Sequence, residues 1–437
     1  MKINCPNFIE AITLDNHPMQ NAKSKLKMQY YIGLEYLIGQ CEGNNEYTSA
    51  RLAQYRAFLV GNATGPKLTE KRCEDVLIQV VKSSIHPRRK KYRYSLLCDA
   101  ALILLYENKV QKAAACLKRY LKKKKAERLD VLFTTLFNDE EIPSAITFTT
   151  DLVEQFRSNR NFAAKPEKRF IVTANMSAGK STLINAIIGK PLTRTSQEVC
   201  TGNLCYLYNK PFEDDTVHLS ASPLNLDVSY DDFLNVDRSA VSSIASYFRM
   251  TVPTNRICII DTPGVNSAIN RHHRKITRTV LKEDMYDTLI YVLNANKLGT
   301  DEEKEHLQWV AENIPKEKVV FVLNKLDDFK SIDDSIEKSI DGVKNDLHAI
   351  GYEKPQICPL SSYFAFLIKL KANGERMTED ETDAYVLYVK KFSKAEYDLS
   401  IYFPGVHNNV EDSELIKMSK KCGLYGLEQI LFGGDSL

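Results

Sequence analysis

Short apolar runs that end in small or polar residues recur in the second half of the chain. Four of them, at residues 169–173, 257–260, 319–323 and 356–360, have the length of buried strands, and the fourth has the weakest pattern. The first run leads through a tight loop into another apolar segment at residues 183–189. This succession predicts a strand, a loop and a helix.

The first 160 residues carry few strand patterns and several helical ones. Apolar residues recur at i, i+3 and i+4 in residues 30–38, 73–81 and 96–120, and Asn108 predicts a turn inside the third segment. The two short helices around that turn faintly resemble a tetratricopeptide-type hairpin, although no repeat period is visible. The pattern predicts a helical bundle or helical-hairpin domain that contacts proteins or simply packs on the rest of the chain.

The length of 437 residues predicts two or three domains. Residues 159–168 are mostly polar and predict a linker. We therefore expect a helical N-terminal domain at residues 1–158 and a second domain at residues 169–437.

The second domain is predicted to end in helices. Thr378 followed three residues later by Glu381 is a capping box, the signature of a helix start. Residues 364–418 are predicted to form a helical insertion, and residues 424–432 the closing helix of the domain.

Net charge is +3, but it is unevenly distributed. Residues 1–150 contain 24 Lys and Arg against 15 Asp and Glu, with the excess at residues 86–93 and 118–125. Two interpretations stay open. The basic runs are a patch for anionic lipid or nucleic acid, or they are solvated helix ends where cations are favoured.

The cysteines and the apolar segments both bear on location. The ten cysteines are scattered without a C-x-x-C pair, which predicts free thiols in a reducing, cytoplasmic setting. The start of the chain has no signal-peptide pattern. The longest apolar stretch, residues 96–106, contains Asp99 and is too short to span a bilayer, so any membrane contact is expected to be peripheral.

Residues 174–182 match the G-x-x-x-x-G-K-[ST] pattern of a phosphate-binding loop, except that Ala174 replaces the first glycine. Alanine lacks the freedom of glycine at positive φ, so we expect right-handed or mildly strained backbone there. In such a loop Lys180 reaches the β- and γ-phosphates and the Ser181 hydroxyl binds Mg²⁺. The candidate nucleotide-binding residues are Asn175, Met176, Ser177, Ala178, Gly179, Lys180, Ser181 and Thr182.

Two further segments supply candidate metal ligands and a phosphate sensor. Asp261 closes the second apolar run, where a carboxylate holds Mg²⁺ through a water, and Gly264 offers an unhindered amide to the γ-phosphate. The second Mg²⁺ ligand is expected to be a threonine in the loop after the phosphate-binding segment. We favour Thr201, and Thr195 is the alternative.

A base-reading motif closes the third apolar run. Residues 324–327 read N-K-L-D, in which the carboxylate of Asp327 accepts from two donors of guanine that adenine lacks. The motif predicts selectivity for GTP over ATP, with the stem of Lys325 on the base and Asn324 bracing the loops. After the fourth run, Ser361 and Ser362 lie where a backbone amide donates to the guanine 6-oxygen.

Together these motifs predict a Ras-like P-loop GTPase domain. Its fold is expected to be α/β, a mostly parallel mixed sheet with helices on both faces and nucleotide at the carboxyl ends of the strands. The predicted reaction is hydrolysis of GTP to GDP and phosphate with Mg²⁺. Lys180 and the loop amides would offset negative charge on the phosphates.

Four stretches resemble the bacterial dynamin-like large GTPases: residues 176–186, 292–296, 299–303 and 361–365. The resemblance extends over residues 165–435. It implies that Ser177 positions the attacking water, together with a monovalent cation, K⁺ or Na⁺, and a second subunit across a dimer of GTPase domains.

Two positions depart from better-known switches. Val265 stands where Ras-like proteins carry a glutamine that orients water, and valine has no hydrogen-bonding group, so water must be positioned from elsewhere. Met176 stands where the dynamin family often has a glutamine, which removes one contact to that water.

Three functions stay open. The favoured one is a dynamin-like GTPase activated by dimerisation or assembly of its GTPase domain, with a protein partner or peripheral membrane contact. The second is a ribosome- or RNA-associated GTPase that uses the basic N-terminal helices, although no recognisable RNA-binding module is present. The third is a GTP-gated protein scaffold with slow hydrolysis.

Overall fold

The structure is a computed structural model that describes residues 8–42, 45–61, 68–82, 91–193, 204–236, 241–251, 256–264, 271–330, 335–405 and 413–433. Its helices are α1 (Ser24–Glu42), α2 (Glu46–Leu59), α3 (Glu70–Lys82), α4 (Tyr92–Leu104), α5 (Glu107–Lys118), α6 (Lys123–Phe137), α7 (Thr150–Ala164), α8 (Lys180–Ile188), α9 (Tyr230–Asn235), α10 (Arg271–Lys282), α11 (Asp301–Asn313), α12 (Ile336–Ala349), α13 (Ser362–Ala372), α14 (Glu379–Phe392), α15 (Glu414–Lys421) and α16 (Leu424–Phe432). Its strands are β1 (Glu167–Ala174), β2 (Cys205–Asn209), β3 (Thr216–Ser220), β4 (Asn225–Ser229), β5 (Ser243–Ser246), β6 (Arg256–Asp261), β7 (Thr288–Asn294), β8 (Val319–Asn324) and β9 (Gln356–Pro359).

The chain forms two compact units. The first comprises residues 1–165 and 210–236, and the second comprises residues 166–209 and 237–437. The first unit holds helices α1 to α7, the antiparallel hairpin of β3 and β4, and the short helix α9. The predicted helical N-terminal region is therefore confirmed.

Helix α4 is the centre of the first unit, because every one of its residues is buried. A helix that is enclosed on all sides must satisfy its polar side chains internally. Asp99 on α4 does so by accepting from His17 at 3.0 Å, from Tyr55 at 3.1 Å and from the Tyr30 hydroxyl. The Met19 amide donates to Nδ1 of His17, so the hydrogen of the neutral ring lies on Nε2, which faces Asp99.

The hairpin segment 210–236 belongs to the first unit and not, as predicted, to the second domain. The carboxylate of Asp214 accepts from the Ile12 amide at 3.1 Å, and Nδ1 of His218 lies 2.8 Å from the Phe8 carbonyl. These buried hydrogen bonds join segments about 200 residues apart in sequence. No local pattern in the sequence reveals them.

The linker predicted at residues 159–168 is not present. Helix α7 continues to Ala164 and β1 begins at Glu167. Asn159, which looks like a linker residue, is buried and exchanges two hydrogen bonds with the backbone of Ala11, at 2.9 and 2.8 Å. Its polarity serves a buried contact, and that is why composition placed the linker wrongly.

The turn predicted at Asn108 lies slightly earlier in the chain. Helix α4 ends at Leu104, and Leu105 adopts a φ of 63°, which breaks the helix before α5 begins at Glu107. Left-handed backbone is uncommon for leucine, so nothing in the sequence points to this residue.

The second unit is built on a mixed, mostly parallel sheet, as predicted. Its strand order is β5-β2-β6-β1-β7-β8-β9, and every pair is parallel except β2 with β6. In the sheet, β6 lies on one side of β1, and β7, β8 and β9 lie on the other. The carboxyl end of β1 is therefore a topological switch point, the usual place for a ligand in such sheets.

Helices complete the second unit after β9. The capping box predicted at Thr378 and Glu381 is confirmed, with both reciprocal hydrogen bonds present at the start of α14. The closing helix α16 occupies the residues expected, and Phe432 packs edge-to-face on Phe170 of β1 at 5.1 Å.

The eight cysteines in the described part of the chain are all free thiols, five of them buried. Among the helices that the structure describes, none is long and apolar enough to cross a membrane.

Replacing Asp99 by alanine is expected to destabilise the first unit. Three buried donors would lose their acceptor, at a cost of about 3 kcal/mol or more. Hydrogen exchange read by mass spectrometry should show faster exchange across α4. The control is Asp130→Ala on α6, whose exposed carboxylate pairs with Lys118 and should matter by no more than about 0.5 kcal/mol. Equal exchange in the two variants would contradict the role given to Asp99.

Candidate functional site

The phosphate-binding loop has the strand–loop–helix form that its sequence predicts. Ala174 is the last residue of β1 and does not adopt positive φ, so the missing first glycine causes no strain. Positive φ occurs at Ser177, with 61°, and at Gly179, with 87°. Gly179 caps α8 directly before Lys180, and the amides at this helix start are suited to anionic oxygens.

The lysine that follows the loop meets a carboxylate at the carboxyl end of β6. The Lys180 ammonium pairs with the Asp261 carboxylate, and both side chains are largely buried. Ser181 and Thr182 are half-buried in the first turn of α8. The start of α8 and the end of β6 are therefore neighbours at the carboxyl ends of the strands, where they bring together Lys180, Ser181 and Asp261.

The segment from Asp261 to Gly264 is held from two sides. The Thr262 hydroxyl donates to the Val172 carbonyl of β1 at 2.7 Å, and the Thr277 hydroxyl of α10 donates to the Pro263 carbonyl at 3.2 Å. A methyl group on Gly264 would meet only Met176, at 3.7 Å. Gly264 thus lies next to the phosphate loop, where its amide was expected.

Asn324 connects the phosphate loop to the base-reading segment. Its side-chain nitrogen donates to the Ala178 carbonyl at 2.8 Å, and its side-chain oxygen accepts from the Ser362 amide at 2.9 Å. Asn324 is almost fully buried, so both hydrogen bonds are shielded from water. One planar side chain therefore sets the spacing between the two loops.

Asp327 is the last residue of the base-reading motif, and it is half-buried. Burial raises the pKa of this carboxyl, whereas the hydrogen bond from Ser361, at 2.7 Å, lowers it. Ser361 also caps α13 by accepting from the Phe364 amide. The same hydroxyl therefore fixes the helix start and orients the carboxylate.

The predicted amide donors to guanine already have acceptors inside the second unit. The Ser361 amide donates to the Cys422 carbonyl at 3.1 Å, and the Ser362 amide donates to Asn324. Donation from either amide to the 6-oxygen would require one of these hydrogen bonds to break. The contribution of Ser361 that the geometry supports is instead its contact with Asp327.

Two asparagines at and just after the end of β7 complete the site, and neither is among the predicted site residues. Asn294 donates to the Ser177 carbonyl at 3.2 Å, and Asn296 donates to the Asp328 carboxylate at 3.2 Å. The sequence signal was that both asparagines lie in residues 292–296, a stretch that resembles the dynamin family, and in the sheet β7 lies between β1 and β8. Only the strand order, which the sequence does not give, makes that signal readable.

Three residues with predicted roles lie outside the described residues. These are Thr201 and Thr195, the alternative Mg²⁺ ligands, and Val265, which stands at the position of the water-orienting glutamine. Their roles stay predictions.

A comparison with known families decides the class of this domain. Residues 171–326 match the sequence model of the dynamin family, a stretch that includes the phosphate loop, Asp261 and Asn324. Over these residues the domain is therefore dynamin-like. The fold predicted for it and the family resemblance noted in the sequence are both confirmed.

The relatives of this dynamin-like domain match the chain only in part. Dynamin-like protein A of Bacillus subtilis (strain 168) is 27% identical over 169 residues, which are 38% of this chain and 14% of that protein. An uncharacterised protein of Caldicellulosiruptor sp. (strain Rt8B.4) is 26% identical over 234 residues, 52% of this chain and 56% of that protein. The chain thus spans about half the length of one curated relative and much less of the other.

Among solved structures, an oligomerised bacterial dynamin pair, described as sensing and tethering membranes, is similar at 14% identity. The match covers 94% of this chain and 61% of that chain, with a TM-score of 0.34.

Gly179→Ala is expected to abolish GDP binding, with affinity lower by at least about 100-fold. The added methyl group would collide with the side-chain nitrogen of Asn324, and alanine is strained at a φ of 87°. Calorimetric titration of GDP measures the effect. Gly264→Ala is the matched control, since its methyl group makes ordinary contact and GDP has no γ-phosphate for that amide. Wild-type GDP affinity in Gly179→Ala would contradict this geometry.

Proposed function

We propose that this chain hydrolyses GTP to GDP and phosphate with Mg²⁺. The observation that carries the proposal is the link through Asn324, which ties a phosphate-binding loop to a guanine-reading segment. A site with both ends fixed in this way suits a nucleotide whose phosphates and base are bound simultaneously.

At the phosphate end, Lys180 and Asp261 supply charges of opposite sign. Bound phosphates would draw the Lys180 ammonium away from Asp261, since they carry more negative charge. The Asp261 carboxylate would then be available to bind Mg²⁺. Lys180 and the amides at the start of α8 would stabilise the charge that develops on the phosphate oxygens during attack by water.

The residues at this end fit Mg²⁺. Mg²⁺ prefers oxygen ligands, keeps several waters and shares phosphate oxygens with its protein ligands. The Ser181 hydroxyl and the Asp261 carboxylate supply oxygen ligands, and Thr201, or alternatively Thr195, would supply another. When bound, the cation would neutralise charge on the β- and γ-phosphates.

At the base end, Asp327 would select guanine. An ionised carboxylate accepts two hydrogen bonds, and guanine offers N1–H and the 2-amino group as matched donors. Ser361 supports this role by holding one carboxylate oxygen at 2.7 Å. ATP would leave the buried carboxylate without these donors, so GTP is the proposed substrate.

We further propose that two copies of the chain complete the catalytic site. Met176 is 51% exposed and Ser177 is exposed on the outer surface of the phosphate loop, within reach of a second molecule. With Val265 unable to orient water, Ser177 and a K⁺ or Na⁺ ion at the contact would take that role. A cytoplasmic location, with any membrane contact at the surface, is part of the same proposal.

Lys180→Ala is expected to lower GTP turnover by at least about 100-fold, because the phosphates lose their principal cation. Phosphate release with Mg²⁺ measures it. Lys338→Ala, an exposed lysine on α12, is the control and should keep wild-type turnover. If Lys180→Ala hydrolyses GTP at the wild-type rate, the site has been assigned wrongly.

Turnover per molecule is expected to rise with protein concentration in the presence of K⁺. A site completed by a second copy becomes active only when two molecules meet. Phosphate release measured over a hundredfold range of concentration, with light scattering on the same samples, provides the test. A slow rate that does not depend on concentration would rule out activation by self-association and would direct attention to a separate activating partner.

A further inference from the structure

Helix α14 reaches back to the base-reading segment through one lysine. The Lys391 ammonium donates to the main-chain carbonyl of Asp327 at 2.6 Å and also to that of Phe329. The first carbonyl lies inside the 3₁₀ turn Leu326–Asp328 and the second belongs to Phe329, which caps that turn, and the conformation of the turn sets the direction of the Asp327 side chain. A single cation therefore ties the turn to the residue that follows it.

Lys391 is itself held in place. Its ammonium lies 4.5 Å from the ring centre of Tyr397, whose hydroxyl donates to the Phe329 carbonyl at 3.3 Å. The end of α14 is fixed by Phe392, which stacks on Phe364 of α13 at 5.1 Å. Because the start of α13 is hydrogen-bonded to Asn324 and Asp327, α14 and the base-reading motif are parts of one packed structure.

The charge of Lys391 also acts on the carboxyl of Asp327. Burial raises the pKa of the Asp327 carboxyl. The hydrogen bond from the Ser361 hydroxyl lowers it, the negative charge of Asp328 raises it, and the positive charge of Lys391 lowers it. The hydroxyls of Tyr363 and Tyr388 also lie near enough to interact with this carboxylate. Lys391 is the cation in this group, so its loss would favour the neutral carboxyl.

We propose that Lys391 is a positioning residue for guanine recognition, which holds the Asp327 turn in its reading conformation through its two main-chain hydrogen bonds. The inference rests on the proposed function, because it takes Asp327 to be the group that reads guanine. A neutral carboxyl would direct a hydrogen at one of the guanine donors, so charge and position both matter. Helix α14 is then part of the nucleotide site.

The first test is calorimetric titration of GDP, with Mg²⁺, into the full chain and its variants. Lys391→Met should bind GDP at least about tenfold more weakly, since hydrogen bonds from a charged donor to the turn are lost. Lys390→Met is the matched control, because it removes the same charge from the neighbouring exposed position and should bind GDP as the wild type does. Equal affinities for Lys391→Met and wild type would overturn the inference.

Inorganic triphosphate tests the phosphate end of the site without the base. It binds only through the phosphate end, so its affinity should be the same in wild type and Lys391→Met. A parallel loss of triphosphate and GDP affinity would mean that Lys391 supports the fold generally and does not position the guanine reader. In Asp327→Ala, adding Lys391→Met should cause no further loss of GDP affinity, and an additive loss would also overturn the inference.

The pH dependence gives a measurement that a purely structural role would not change. GDP affinity should fall as the pH drops through the pKa of Asp327, because the protonated carboxyl no longer accepts two hydrogen bonds. Without the nearby cation that pKa is higher, so in Lys391→Gln the fall should begin at a higher pH than in wild type. Superimposable profiles would contradict the electrostatic role. The glutamine variant keeps a donor, so it also serves if the methionine variant does not fold.

Failure of the proposed function would look different. If wild-type protein bound GDP no better than ADP, Asp327 would not be a guanine reader and the base site itself would be misassigned. If wild type selected GDP and Lys391→Met did so equally well, only the role of Lys391 would be wrong.

Discussion

The arrangement of the nucleotide site depends on the two hydrogen bonds of Asn324. Its amide group spans from the Ala178 carbonyl in the phosphate loop to the Ser362 amide at the start of α13. Buried polar groups that lose their partners are costly, so the two loops are expected to keep this spacing. The site is thereby organised before any nucleotide binds, which lowers the entropic cost of binding.

Other elements of the second unit contact the phosphate loop and the base-reading turn. Asn294 on β7 contacts the phosphate loop at the Ser177 carbonyl, and Lys391 on α14 contacts the base-reading turn at Asp327. These contacts come from parts of the chain that contain no nucleotide-binding motif. The helices after β9 therefore contribute to the site instead of merely covering the sheet.

The sequence was informative where the signal is local. The phosphate loop, Asp261 at the end of β6 and the capping box at Thr378 each lie within a few consecutive residues, and each was predicted in the right element. Contacts between distant segments could not be read in this way. Asn159 resembled a linker residue because it is polar and has polar neighbours, and its buried partner, Ala11, lies 148 positions away.

The same limit applies to the site itself. Asn294 lies in a stretch that resembles the dynamin family and Lys391 lies in none, but the contacts of both appear only once the strand order places β7 between β1 and β8 and α14 packs on α13. The most direct measurement is the GDP affinity of Asn324→Ala against wild type. Two buried groups would lose their partner, so we expect affinity to fall about 100-fold or more. An affinity within twofold of wild type would contradict the central place given to Asn324.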